Sequence, residues 1–242
     1  MFKIKLEDIS LLKESFQSIS GLVNDVQIEI DDDGLRVSAI DTSHITFIHL
    51  SLNKESFESF EYDKPQKINL DCGEFMTFLK RASKDTTMME LDCDGQYLTI
   101  KYNAKVNKTF KLKLFDVEGY VPELPEIPFV SRVNISSSLF KEIVSDISTF
   151  SEKLRISNEN DKIVFDAYGD YVDATIEYDP GEKLDDCNSI FSLDKIREMM
   201  KASKFAQSCW LNYGEDVPLM LEYSGDSGVL KFLLAPRIED DV

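Results

Sequence analysis

The tetrapeptide Gly225-Asp226-Ser227-Gly228 resembles the sequence around the nucleophile of serine proteases. Attack by a serine requires a histidine base that a carboxylate orients. The chain contains only two histidines, so the candidate triad is Ser227, His44 and Asp41. Glycine and aspartate are also ordinary turn residues, and the tetrapeptide lies between two apolar strand patterns. We therefore expect a turn here, with a serine hydrolase acting through Ser227 as the alternative.

Other motifs that could hold a metal or a phosphate are incomplete or absent. Asp31-Asp32-Asp33-Gly34 lacks the bidentate glutamate and the loop length of a calcium hand. The sequence has no G-x-x-x-x-G-K-[ST] phosphate loop and no G-x-G-x-x-G fingerprint. The four cysteines are 21, 94 and 22 residues apart, which favours buried reduced thiols over a zinc site. The sequence predicts no metal, no cofactor and no catalysis.

Clusters of cations are the remaining residues with a chemical pattern. Arg197, Lys201 and Lys204 recur every three or four residues on one predicted helical face, and residues 195–204 carry a local net charge of +3. Lys80, Arg81 and Lys84 end an earlier predicted helix. Cations there could contact DNA phosphates, or they could simply complement the helix dipole.

The charge of the whole chain limits this reading. The net charge is −18, from 45 acidic and 27 basic side chains, which excludes tight binding of nucleic acid over the whole surface. Because ions screen charges beyond about 8 Å, DNA beside the helices would respond mainly to the local cations.

The elements that must position these cations follow from hydrophobic periodicity. We predict a helix over 10–20, a hairpin of strands 26–30 and 35–39, strands over 45–52 and 67–70, and a second helix around Phe75 and Leu79. Strands over 88–91, 97–102 and 109–114 complete the first half. Charges near the N-terminus argue against a signal peptide, and no apolar run reaches the ~20 residues of a membrane span, so we expect a soluble intracellular protein.

The same order of elements then recurs. Residues 13–20 align with 141–148 and the first hairpin aligns with 154–167, both at an offset of 128, whereas 81–84 align with 201–204 at an offset of 120. This indicates an internal duplication. Three prolines and one glycine make residues 116–130 an extended connector. Its apolar residues could help form a groove, or they could only fix the connector to a surface.

Two strand patterns of opposite charge suggest how copies associate. Residues 108–114 are basic, whereas residues 170–179 are acidic. Open strand edges of opposite charge can pair head to tail between identical subunits. We expect Phe110 and Leu112 of one subunit to lie near Ile176 and Tyr178 of the next. Two solvated edges of one monomer are the alternative.

Several segments resemble the proliferating cell nuclear antigen family of DNA sliding clamps. They are Met1-Phe2, Ala39–His44, the connector, Asp216–Leu219 and Leu233-Leu234-Ala235-Pro236-Arg237-Ile238-Glu239, in the same order as in the family. The Pro-Glu-Leu-Pro connector is closer to the archaeal branch. The resemblance implies an α+β fold with two similar clamp domains, over 1–115 and 131–242, joined by the connector 116–130. Three subunits would close a ring around duplex DNA. A subunit of a heterotrimeric or checkpoint-type clamp is the alternative.

The resemblance also implies three sets of site residues. The DNA-facing set is Lys13, Lys80, Arg81, Lys84, Lys141, Arg197, Lys201 and Lys204. The pocket for short partner motifs is Ile40, His44, Phe47, Leu124, Pro125, Val217, Pro218, Leu233, Ala235, Pro236 and Ile238. The subunit interface is Phe110, Lys111, Leu112, Lys113, Asp173, Thr175, Ile176, Glu177 and Tyr178.

The implied partners are duplex DNA, further copies of the chain, DNA polymerase, the clamp loader, flap endonuclease and DNA ligase, with no membrane. The implied location is the cytoplasm and nucleoid of an archaeon, or the nucleus of a eukaryote.

Overall fold

The computed structural model describes residues 1–116 and 123–238. Residues 117–122 of the predicted connector and 239–242 of the second predicted domain lie outside the described residues. The helices are α1 (Ser10–Ile19), α2 (Cys72–Leu79), α3 (Ser137–Ile147) and α4 (Leu193–Met199). Short 3₁₀ helices cover Lys54–Ser56 and Met200–Lys204.

The strands are numbered in chain order. In the first half they are β1 (Phe2–Leu6), β2 (Asp25–Asp31), β3 (Gly34–Ile40), β4 (Thr46–Asn53), β5 (Ser59–Tyr62), β6 (Gln66–Asp71), β7 (Met88–Cys93), β8 (Tyr97–Asn103) and β9 (Lys108–Lys113). In the second half they are β10 (Ser131–Ser136), β11 (Lys153–Glu159), β12 (Lys162–Tyr168), β13 (Asp173–Tyr178), β14 (Asn188–Ser192), β15 (Ser208–Tyr213), β16 (Leu219–Gly225) and β17 (Gly228–Leu234).

Within residues 1–116 and 123–238 the strands form three antiparallel sheets. A five-stranded sheet has the order β5-β1-β7-β8-β9, and a four-stranded sheet has the order β13-β12-β11-β14. An eight-stranded sheet, β10-β15-β16-β17-β4-β3-β2-β6, crosses both halves of the chain because β17 pairs with β4. Helices and antiparallel sheets in this arrangement confirm the α+β prediction.

The strand order repeats between the halves, which confirms the predicted duplication. The run β1-β7-β8-β9 corresponds to β10-β15-β16-β17, and β4-β3-β2-β6 corresponds to β13-β12-β11-β14. The repeat therefore equates β17, which is paired with β4, with β9, and it equates β4 with β13. Within the described residues β9 and β13 each end a sheet with one edge unpaired.

The four helices pack as neighbours against a common apolar core. Helix α1 contacts α2 and α4, and α3 contacts α4. Phe16 of α1 meets Phe75 of α2 edge to face at 4.8 Å between ring centroids, and Phe140 of α3 lies near Phe165 of β12. Ile196 and Met199 of α4 and Met200 just after it are buried, so the polar residues of α4 face away from the sheets.

The structure extends the predicted elements at several places. Strand β1 alternates buried and half-buried residues, and β5 pairs with it at the edge of the sheet, although neither was predicted. Helix α2 ends at Leu79, so Arg81 and Lys84 lie beyond the helix. The basic strand and the acidic strand are confirmed as β9 and β13.

Candidate nucleic-acid interface and protein-docking surface

A groove between α3 and α4, called the inner groove below, brings three of the predicted DNA-facing cations together. It has a volume of about 550 Å³ and is lined by Lys141, Arg197 and Lys201. The hydroxyl residues Ser145, Ser148 and Thr149 also line it. Ammonium, guanidinium and hydroxyl donors are the groups that hold phosphate oxygens without reading bases.

Acidic neighbours partly neutralise the cations of the helix layer. Arg197 lies 3.4 Å from Asp194, and Lys201 lies 2.5 Å from Glu198. Lys204 lies 3.9 Å from Glu14 of α1. Exposed ion pairs of this kind are worth less than about 1 kcal/mol, so a phosphate can compete for the cations. The i,i+3 spacing of Glu198 and Lys201 is visible in the sequence, whereas the pairing of Lys204 with Glu14 is not.

The other predicted DNA-facing residues are distributed along the same layer. Lys80 is the C-cap of α2, and Lys84 follows in the next turn. Arg81 is exposed, and its carbonyl accepts a hydrogen bond of 2.8 Å from Lys108. Lys13 of α1 is half-buried, whereas Lys141 is exposed.

An apolar stripe crosses the opposite face of the eight-stranded sheet. Ile40, Phe47, Leu233 and Met220 lie opposite one another on β3, β4, β17 and β16. We call these four residues the outer stripe. Phe47 is 7% exposed and Leu233 is 5% exposed, yet neither belongs to the core beneath the helices. Three of the four were predicted as pocket residues, and Met220 was missed.

The loop 41–45, next to the outer stripe, is held by a buried carboxylate. Asp41 accepts hydrogen bonds of 2.9 Å from the backbone N–H groups of Ile45 and Thr46. Its second oxygen lies 3.1 Å from the Lys195 ammonium of α4. Burial opposes the charged form, but the hydrogen bonds from Thr46, Lys195 and Ile45 outweigh it, so the pKa of Asp41 is lowered. His44 in this loop is exposed, with φ of 57°.

This geometry contradicts a catalytic triad. Gly228, next to Ser227, pairs with Leu52 at one end of β4, whereas loop 41–45 lies beyond the other end. Six residue steps of extended strand separate Thr46 from Leu52, a distance of about 20 Å. Asp41 is engaged by Lys195 and two backbone groups. The candidate triad of Ser227, His44 and Asp41 is therefore wrong.

The remaining pocket residues surround the outer stripe to different degrees. The N–H of Ala235 donates a hydrogen bond of 2.8 Å to the Ile45 carbonyl, which brings the chain after β17 to loop 41–45. Val217, Pro218 and Pro236 are half-buried. Leu124 is half-buried and Pro125 is exposed, whereas Ile238 is 90% exposed.

The two open strand edges carry the predicted interface residues. On β9, Lys111 and Lys113 are exposed, and on β13 the exposed residues are Asp173, Thr175 and Glu177. Thr175 donates to Asp166, and Glu177 pairs with Lys162 of β12. Ile176 and Tyr178 are half-buried against their own domain.

One part of the interface prediction is wrong. The Leu112 side chain is 2% exposed, because it packs inside its own domain, and it therefore cannot pack on another subunit. Phe110 stacks on Phe78 of α2 at 5.1 Å and remains half-buried.

Within residues 1–116 and 123–238, no group of three or more His, Cys, Asp or Glu side chains could hold a metal ion. The four cysteines are free and buried, as predicted, and burial raises the pKa of Cys72 and Cys209 to about 12. No helix in this part of the chain has the length and apolar character needed to cross a membrane.

Solved structures share this whole architecture. A proliferating cellular nuclear antigen from Entamoeba histolytica matches with a TM-score of 0.89 at 24% identity, covering 98% of this chain and 99% of that one. Its counterpart from Thermococcus kodakaraensis matches with a TM-score of 0.88 at 20% identity, covering 98% and 100%. The fold is that of the DNA sliding clamps.

Sequence comparison narrows the class to a family. Residues 1–120 match the N-terminal domain of proliferating cell nuclear antigen, and residues 123–238 match its C-terminal domain. The DNA polymerase sliding clamp of Methanothermobacter thermautotrophicus is 41% identical over 242 residues, covering 99% of each chain. That of Methanobrevibacter smithii is 43% identical over 246 residues, covering 100% of each. The chain belongs to the proliferating cell nuclear antigen family, in its archaeal type, and is a sliding-clamp processivity factor of DNA replication.

Proposed function

We propose that three copies of this chain close a ring around duplex DNA and tether DNA polymerase to it. The observation that carries the proposal is the pairing of β17 with β4 inside the eight-stranded sheet. By the internal repeat, β9 and β13 are the equivalents of these two strands, and each has an open edge. The same pairing between copies is head to tail, and such contacts form rings when the rotation closes.

The strand registers support a specific alignment between copies. Leu112 of β9 pairs with Leu98 of β8, and Leu234 of β17 pairs with Leu219 of β16. Because the repeat equates β8 with β16, Leu112 of β9 corresponds to Leu234 of β17. Ala167 of β12 pairs with Ala174 of β13, and Ala39 of β3 pairs with Ile48 of β4. Because the repeat equates β12 with β3, Ala174 of β13 corresponds to Ile48 of β4.

Inside the chain, Leu233 faces Phe47, and Phe232 faces Ile48. We therefore expect Lys111 opposite Asp173 of the next subunit, and Phe110 opposite Ala174 rather than Ile176. Opposite charges directly across strands favour this register over a slipped one.

The helices lie on one face of the sheets and would line the hole of such a ring. We propose that the DNA-facing residues predicted from the sequence contact the phosphates of the duplex. The cations that line the inner groove would make the strongest of these contacts. Because these cations already have acidic neighbours, binding is weak and independent of sequence. Closure of the ring then retains the DNA while the phosphate contacts let the clamp slide.

The outer stripe and its surroundings are the proposed site for partner proteins. An apolar stripe of buried and half-buried residues beside a structured loop suits a short segment with an aliphatic residue and two aromatic residues. We assign to it the predicted pocket residues together with Met220. DNA polymerase, the clamp loader, flap endonuclease and DNA ligase are the proposed partners.

Further parts of the proposal concern the role of the chain in the cell. We propose that the chain is not an enzyme and needs no cofactor, and that an ATP-driven loader opens the ring. We also propose the division into domains 1–115 and 131–242 with the connector 116–130. The relatives of archaeal origin suggest that the protein acts in the cytoplasm, at the nucleoid.

Light scattering on the purified chain tests ring formation. One subunit has a mass of 27.7 kDa, so the ring is expected at about 83 kDa. A mass of one subunit at micromolar concentration would contradict a homotrimer and favour a heteromeric clamp.

Partner binding is tested with a fluorescent peptide that carries a glutamine, an aliphatic residue and two aromatic residues. Phe47→Ser is expected to weaken peptide binding at least 10-fold. Tyr62→Ser, on β5 of the other sheet, is the matched control. Equal binding by both variants would refute the assignment of the outer stripe.

A further inference from the structure

We propose that Tyr171 of one subunit docks into a groove on the neighbouring copy of the chain, against Tyr97 and Lys113. This contact rests on the ring assembly proposed above, and it deepens that assembly because strand pairing alone does not require it. The groove, called the edge groove below, has a volume of about 490 Å³ and runs beside the end of β9. Its lining includes Lys67, Asn69, Gln96, Tyr97, Lys113 and Phe115.

Exposed apolar side chains concentrate at the two open edges. Tyr171 is 99% exposed in the turn between β12 and β13. Of the ten large apolar side chains that are exposed among the described residues, five lie beside these edges: Tyr97, Val106 and Phe115 near β9, and Tyr171 and Val172 just before β13. Apolar surface gathered on two complementary edges is typical of an interface that a second copy covers.

A contact inside the chain supplies the register for Tyr171. The pairing of β17 with β4 continues one residue further, where the N–H of Ala235 donates to the carbonyl of Ile45 at 2.8 Å. By the register equivalence derived above, Lys113 corresponds to Ala235 and Tyr171 corresponds to Ile45. The same hydrogen bond between copies therefore joins the Lys113 N–H to the Tyr171 carbonyl.

Side-chain alternation then directs the Tyr171 ring. Lys111 and Lys113 are on the exposed face of β9, and Tyr97 lies opposite Lys113 on β8. A residue opposite Lys113 on the adjoining strand projects to the same face. The Tyr171 ring thus meets the Lys113 ammonium and the Tyr97 ring, where aromatic and cation–π contacts are available. The Lys111 ammonium already lies 5.9 Å from the centroid of Tyr97.

A disulfide cross-link tests the register. Directly opposed residues of antiparallel strands have Cα atoms about 4.5–5.5 Å apart, within the range of a disulfide. We expect Lys113→Cys combined with Tyr171→Cys to give covalent dimers and trimers on mild oxidation. The control pair, Lys111→Cys with Tyr171→Cys, is two residues out of register and should remain uncrosslinked. The natural thiols do not interfere because all four are buried.

The contribution of the Tyr171 ring to subunit association is tested by substitution of this residue. Tyr171→Ser is expected to raise the subunit dissociation constant at least 10-fold. The matched control is Tyr168→Ser, because Tyr168 is on β12 and β13 separates it from the edge. Equal dissociation constants for the two variants, or cross-linking of the control cysteine pair alone, would overturn the inference. If the wild-type protein has a mass of about 83 kDa, either of these results refutes the Tyr171 contact and leaves the proposed ring intact. A wild-type protein with the mass of one subunit would refute the ring itself.

Discussion

Removing the Lys195 ammonium should destabilise the chain and loosen the loop next to the outer stripe. Lys195 belongs to α4 in the second half, whereas Asp41 belongs to loop 41–45 in the first half. The variant Lys195→Met keeps the aliphatic stem and removes only the charge. It leaves the Asp41 carboxylate, which is 5% exposed, with two backbone N–H groups as its remaining partners.

The expected loss in the free energy of unfolding follows from the burial of Lys195 and Asp41. Breaking a fully buried ion pair costs about 3–5 kcal/mol. The Lys195 side chain is 28% exposed, so solvent screening reduces the expected cost to about 2 kcal/mol. Asp41→Ala also removes the acceptor of the Ile45 and Thr46 N–H groups, and we expect it to cost about 4 kcal/mol. Lys3→Met, which breaks a more exposed pair with Glu90, should cost less than about 1 kcal/mol.

Urea unfolding measures these differences in stability. It is carried out at one fixed subunit concentration, because the stability of an oligomer depends on concentration.

The pH dependence of stability adds a second measurement. The pKa of Asp41 is lowered in the folded chain, so its stabilisation is complete above the unfolded value of about 3.9 and is lost as pH falls through the folded value. The difference between wild type and Lys195→Met should therefore shrink below about pH 4. A Lys195→Met protein as stable as Lys3→Met would refute the reasoning.

Three further predictions concern assembly, DNA and pH. Reversing charge with Lys111→Glu and Lys113→Glu should convert the ring to monomers, as measured by light scattering. Adding Asp173→Lys should restore assembly in part. An unchanged trimer in the Lys111→Glu, Lys113→Glu variant would contradict the register. Neutralising Lys80, Arg81, Lys84, Lys201 and Lys204 to Gln should shorten DNA synthesis per binding event without changing the oligomer mass, and unchanged processivity would count against the inner face as the DNA surface. Burial, Lys231 and Arg36 lower the pKa of His49, so the unfolded chain binds its proton first and stability falls as pH drops below about 6.5. His49→Gln should reduce that loss in urea titrations between pH 7 and 5, and parallel pH profiles would exclude His49 as a source.

The sequence allowed prediction of those parts of the fold that depend on local pattern. Helix α1 and the hairpin of β2 and β3 follow from periodicity and from an Asp-Gly turn, and the repeat follows from aligned segments. The pairing of β17 with β4 could not be read in this way, because it joins residues about 180 positions apart through backbone atoms that every residue has. Strand β5 has only four residues, too few for a period of two to identify, so its formation depends on pairing with the neighbouring β1.

Within the candidate sites, residue types were easier to predict than their partners. The cations at α4 and the local pair of Lys201 with Glu198 are visible in the sequence, but the pairing of Lys204 with Glu14 depends on how α1 packs beside α4. Asp41 entered the sequence argument as a possible catalytic carboxylate, and only tertiary structure shows that Lys195 engages it. Met220 could have been found, because Leu219-Met220-Leu221 is apolar on both faces of its strand, which indicates that the outer face is apolar as well.

The internal repeat also explains why one chain would offer one docking surface and not two. The positions of Phe47 and Leu233 on the outer stripe correspond to Asp173 and Lys111 at the open edges, and Met220 corresponds to Thr99 of β8. The junction within the chain is therefore apolar on its outer face, whereas the junction between chains carries charges there. An apolar partner segment therefore gains more burial at the junction within the chain. The junction between chains uses its opposite charges to select the head-to-tail contact. A ring of three such chains would bind three partners at alternate junctions, although its backbone repeats six times.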